Sequence, residues 1–83
     1  MKTENKMKNT HTEIIFCVKD EPILSMIRSE FAGFDYTINM TEQGRFTKVQ
    51  LNINKIIPFD KDDSILMEGY EVQFESLTYY TKH

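Results

Sequence analysis

"FDYTINMTEQGRFTKVQLNIN", residues 34–54, decides the fold. Phe34, Tyr36, Ile38 and Met40 alternate with Asp35, Thr37, Asn39 and Thr41. That period of two predicts a half-buried strand over 34–41. After the turn "EQGR", Val49, Leu51 and Ile53 alternate with Phe46, Lys48, Gln50, Asn52 and Asn54, which predicts a second strand over 46–54. Gly44 supplies the positive φ that a tight connection requires. Two alternating strands joined by so short a turn form an antiparallel β-hairpin.

Upstream, "EIIFCVK", residues 13–19, is a nearly continuous apolar run. It predicts a central strand covered on both faces, with Cys17 as a small buried residue. Asp20 is a suitable N-cap, and Pro22 fits the first helical turn, where its missing N–H has no partner to lose. Ile23, Leu24, Ile27, Phe31 and Phe34 then fall on one helical stripe, so a helix is expected over 21–32 with Gly33 as its C′ residue. Downstream, "IIPFDKDDS" reads as a loop. Tyr70, Val72 and Phe74 alternate with Glu71, Gln73 and Glu75 in a long last strand. A short helical turn at 64–68 capped by Ser64 is the alternative for its first part, and Gly69 marks a bulge or the strand start.

The expected fold is α+β, in the order β-α-β-β-β. A small, mostly antiparallel four-stranded sheet carries one helix on its apolar face, with Tyr70, Val72 and Phe74 in the shared core. Residues 1–12 are expected to form a flexible N-terminal tail, from their Lys, Asn and Thr content, and 13–83 a single domain. A chain of 83 residues buries roughly 60% of its unfolded surface, so its stability depends on close packing or on self-association.

The stretch "CVKDEPILSMIRSEFAGFDY", residues 17–36, resembles the opening of bacterial two-component receiver domains. Those domains pass from a first strand through an acidic corner and a Pro into a helix. The resemblance implies magnesium-binding acids at Asp20 and Glu21 and a phosphoryl acceptor at Asp60. It covers residues 13–44, and the sequence departs from the pattern in several places. Lys19 stands where the first acid belongs, Pro58 sits just before Asp60, and no Lys-Pro signature follows. The chain is also short for a five-stranded doubly wound fold. The expectation is a strand–turn–helix with the same capping chemistry, and a degenerate receiver-like regulator ranks third among the functions considered.

Net charge is −3, unevenly spread. Residues 1–11 carry three Lys and one Glu, whereas 60–83 carry six acids against Lys61 and Lys82. A general polyanion binder needs a basic face, which this balance does not favour. Asp60, Asp62, Asp63, Glu68, Glu71 and Glu75 suggest an acidic ridge, and Tyr79 and Tyr80 add aromatics of the kind enriched at interfaces. The ridge fits a partner protein with a basic groove, or a second copy of the chain. Small acidic inhibitors that mimic DNA charge, from phages and mobile elements, work in this way. The first functional expectation is therefore a small non-catalytic protein-interaction module of that kind.

The alternative is a single-strand nucleic-acid-binding protein. Arg45, Phe46, Lys48, Gln50 and Asn52 combine charge, an aromatic and amides on one hairpin face. "DKDDSILMEGYE", residues 60–71, partly fits a calcium loop, but Ile65 occupies the position where the sharp turn needs Gly. His11 and His83 lie near the termini, and the three Gly are widely separated, so no zinc pattern, catalytic set or phosphate loop emerges. No metal, cofactor or enzyme activity is expected. A single Cys excludes an internal disulfide, and no apolar run approaches the ~20 residues of a membrane span, so a cytoplasmic location is expected.

Overall fold

The computed structural model describes residues 9–19 and 21–81. Asp20, His83 and most of the expected tail lie outside them. The chain is α+β, and the described residues form one helix and six strands in two antiparallel sheets. The elements are β1 His11–Val18, α1 Glu21–Glu30, β2 Tyr36–Gln43, β3 Phe46–Ile53, β4 Ser64–Met67, β5 Tyr70–Gln73 and β6 Ser76–Tyr80. The larger sheet has the order β2-β3-β1-β6, and β4 and β5 form a separate two-stranded sheet.

The 34–54 hairpin forms as its alternation predicts. Gln43 faces Phe46, and Gly44 at φ 68 opens a two-residue turn. Positive φ at the first turn position alone is the signature of a type II′ turn, whose twist matches that of the strands. β3 then pairs with β1 on its other side. Because β1 and β2 both run antiparallel to β3, they point the same way, so β1-α1-β2 is a strand–helix–strand unit split by β3. Among the described residues every ladder is antiparallel, and they form no parallel sheet of the kind the receiver resemblance implies.

β1 begins at His11, within the stretch expected to be tail, and Thr12 is fully buried. The strand alternates rather than being covered on both faces. Thr12, Ile14, Phe16 and Val18 are buried, whereas Cys17 is exposed, contrary to expectation. The apolar run misleads because Ile15 and Cys17 are apolar residues on the open face, where Gln50 and Lys48 of β3 flank them.

Ile27 and Phe31 are buried against this inner face, with Ile23, Leu24, Met26 and Phe34 partly buried around them. The helix ends through tight bonds, Ala32 N–H to Ser29 O at 3.4 Å and Phe34 N–H to Phe31 O at 3.0 Å. Gly33 is not among the residues of positive φ, so it does not serve as a left-handed C′ stop.

The expected long last strand is three short ones. Glu68 at φ 50 and Gly69 at φ 84 both adopt left-handed conformations and reverse the chain in a type I′ turn. Ser64 starts β4 instead of capping a helical turn. Tyr70 and Val72 stay on one face, as their alternation implied, but the turn leaves Tyr70 at the tip of the hairpin. Val72 and Phe74 are buried, whereas Tyr70 is 66% exposed beside the turn. Phe74 sits edge-on between Phe16 and Phe59, with ring centroids 5.3 Å apart in both pairs, and so ties the second hairpin and the loop to the main core.

Candidate interaction surfaces

Two surfaces emerge, and they divide the expected acidic ridge. The first is the β4–β5 hairpin with the loop before it. Asp60, Asp62 and Asp63 are exposed in the loop, Glu68 occupies the turn, and Glu71 lies on β5. Glu71 is held in place: Lys61 Nζ donates to its Oε2 at 2.7 Å, and Ser64 Oγ donates to the same oxygen at 2.8 Å. The Lys61 hydrogen bond, then that of Ser64, then the Lys61 charge hold the Glu71 carboxyl below its ordinary range. The Glu71 bond and charge push Lys61 up in turn. Both side chains are more than half exposed, so the pair contributes more to the loop's position than to stability.

Sequence reasoning missed the apolar part of this surface. Leu66 is 68% exposed on the hairpin face it shares with its cross-strand partner Glu71, whereas Tyr70 pairs with Met67 and emerges on the opposite face. A cleft of about 410 Å³ opens beside Leu66, with Phe59, Ile65 and the Lys61–Glu71 pair also in its walls. The available signal was "MEGY": a two-residue Glu-Gly turn pairs Met67 with Tyr70 and so sets Leu66 beside Glu71, on the face opposite Tyr70.

The second surface is the open face of the four-stranded sheet. Phe46, Lys48, Gln50 and Asn52 of β3 share it, half-buried, while Arg45 projects from the turn. Their neighbours there come from β1 and β6. Gln50 Nε2 donates to Glu13 Oε2 at 2.5 Å, and Tyr80 OH donates to Asn52 Oδ1 at 3.0 Å. The Tyr80 ring stacks on His11 with centroids 5.2 Å apart.

Glu75 also belongs to this face. Its Oε1 lies 4.0 Å from Lys48 Nζ, and Cys17 Sγ donates to its Oε2 at 3.4 Å. Desolvation on the sheet face, then the Glu75 hydrogen bond and negative charge, push the Cys17 thiol up, against an opposing pull from Lys48. Glu75 and Tyr80 are therefore not part of one ridge with Glu71. Tyr79 faces the other way from Tyr80, as successive strand residues must, and its OH donates to Ile57 O at 2.8 Å. It anchors the loop.

Among the described residues, no three acidic, His or Cys side chains form a group that could hold a metal. No helix among them is long and apolar enough to cross a membrane. No protein-family model, curated protein or solved structure matches the chain.

Proposed function

We propose that this chain is a small non-catalytic protein-interaction module. Its contact surface is the β4–β5 hairpin and the loop before it. The observation that carries this reading is the exposure of Leu66 beside Glu71 on the outer face of the hairpin, with Asp60 and Lys61 in the walls of the same cleft. Large exposed apolar side chains rimmed by charge are the usual composition of a contact site. The partner is a protein whose basic groove carries an apolar floor, and the module acts as an acidic inhibitor or regulator in a reducing cytoplasm. An origin in a phage or mobile element accords with so small an acidic chain.

The test is affinity capture from host lysate, with and without nuclease, using the wild type and two variants. A protein partner should survive nuclease and weaken with salt. It should be lost by Leu66→Ser and by Asp62→Lys/Glu68→Lys. Retention by both variants overturns the assignment of this surface.

A second reading rests on the other face. Phe46, Lys48, Gln50 and Asn52 lie beside the His11–Tyr80 stack, an arrangement suited to single-stranded nucleic acid. Glu75 and Glu13 offset its positive charge and donors, which is why it ranks second. Arg45→Glu/Lys48→Glu should abolish binding under this reading and leave the first intact.

A further inference from the structure

We propose that β2 is a self-pairing edge through which two copies of this chain join, by antiparallel β2–β2 contact about a two-fold axis at Ile38. β2 is one edge of the four-stranded sheet and spans eight residues. Asn54 N–H donates to Asp35 O at 2.9 Å, and Gln43 faces Phe46 across the turn. In an antiparallel ladder these contacts fix the parity: odd-numbered residues of β2 turn their backbone groups toward β3. Tyr36, Ile38 and Met40 therefore direct theirs outward.

The stretch Tyr36–Met40 carries none of the usual edge protections. It has no Pro, no Lys and no bulge, and its ladder to β3 is unbroken. The inner-face side chains are incompletely covered as well, with Met40 46% exposed and Ile38 half-buried. Arg28 Nη2 lies 3.9 Å from Met40 Sδ, so α1 flanks this end of the sheet without closing it.

The pattern Tyr36-Thr37-Ile38-Asn39-Met40 reads apolar, polar, apolar, polar, apolar, and is symmetric about its centre. A two-fold at Ile38 thus sets Tyr36 against the second copy's Met40 and Ile38 against the second copy's Ile38. Thr37 faces the second copy's Asn39 on the open side. Asp35 and Glu42 meet Thr41 and Phe34 of the second copy, so no like charges oppose each other. The three apolar facing pairs supply about six backbone hydrogen bonds, two per pair, as in any antiparallel ladder. An isologous edge contact of this size is small, so the dimer is a weak one that forms reversibly.

The test is sedimentation equilibrium of the full chain over a concentration series, with two variants on exposed open-face positions. The wild type should rise from monomer toward twice the monomer mass. Thr37→Lys/Asn39→Lys sets Lys against Lys twice and should hold the chain monomeric. Thr37→Glu/Asn39→Lys sets opposite charges together twice and should dimerise more tightly than the wild type. Hydrogen exchange adds a site-specific readout. The Ile38 and Met40 amides should slow as concentration rises, while those of Thr37 and Asn39 stay protected throughout. A wild type that remains monomeric at all concentrations leaves this edge to some other strand and overturns the proposal. So does self-association that the double Lys variant leaves unchanged. A weakened Glu/Lys variant overturns the Ile38-centred register.

Discussion

Thr12→Val should destabilise the domain by about 2 kcal/mol, although the two side chains have nearly the same shape. Thr12 is fully buried on β1, and its hydroxyl serves two backbone groups of the 54–59 segment. Oγ1 donates to Lys55 O at 2.8 Å and accepts from Ile57 N–H at 3.0 Å. A typical hydrogen bond contributes about 0.5–1.5 kcal/mol net, so losing both costs about 1–3 kcal/mol. The value should not sit at the low end, because Val leaves the Ile57 N–H facing a methyl group instead of water. The new methyl offsets part of the loss through apolar burial. For a domain of this size, 2 kcal/mol lowers Tm by roughly 8–16 °C.

Urea denaturation is the direct assay, with an unchanged slope and a lower midpoint expected. Tyr79→Phe provides the coupled control, since Tyr79 OH donates to Ile57 O in the same segment. If the two anchors hold one loop, the double mutant should lose less than the sum of the single losses. A Thr12→Val cost below about 0.5 kcal/mol, within the range of ordinary surface changes, refutes the reasoning.

The Glu71 carboxyl, held down first by the Lys61 hydrogen bond, should titrate below the model-peptide value of ~4.3. A depressed carboxylate stabilises the fold above its unfolded pKa, and that contribution is lost as pH falls through the folded value. Carbon-detected NMR of Glu71 should therefore show a low midpoint, with hairpin amide protection fading through the same range. Glu68→Asn should raise stability by about 0.5–1 kcal/mol, because Asn accepts the left-handed turn position at less cost than Glu. The same variant should weaken partner capture, so thermal melts and binding should move in opposite directions. Glu75→Gln removes the negative charge that helps hold the Cys17 thiol up. Alkylation of Cys17 at mildly alkaline pH should then speed up several-fold, and an unchanged rate would show that Glu75 does not govern this thiol.

How much was legible in the sequence depended on whether alternation ran uninterrupted between recognisable turns. Residues 34–54 satisfied that condition, and Val49, Leu51 and Ile53 are buried as their spacing implied. The helical stripe was equally clear at Ile27 and Phe31. Met40 escaped the same logic. Its parity is correct, but α1 does not cover the far edge of the sheet, and strand periodicity carries no information about how far a covering layer extends. Cys17 failed for a related reason, since an apolar run has no polar residue to mark the open face. Thr12 was misread because a polar residue in a polar stretch gives no local sign that it will be buried by a loop more than forty positions away.

The misreading with the widest consequence was that of one strand running on through Phe74 and Glu75. With one strand through 70–75, Glu71 and Glu75 share a face and form a continuous acidic ridge. A type I′ turn at 68–69 places 70–73 in a separate hairpin, and the chain then crosses to β6 beside β1. Glu71 stays with Lys61 and the loop, while Glu75 reaches Lys48 and Cys17 on the open face of the main sheet. The same carboxylate thus counted toward the acidic reading and now opposes the basic one. Reversing Glu71 and Glu75 together would alter both surfaces at once and discriminate between neither. Only variants confined to one side, such as Asp62→Lys/Glu68→Lys on the hairpin or Arg45→Glu/Lys48→Glu on the sheet, keep the two binding hypotheses independent. That separation follows from the end of β5 at Gln73: the chain leaves the small hairpin at Phe74, and Glu75 N–H already donates to Ile15 O of β1 at 2.6 Å.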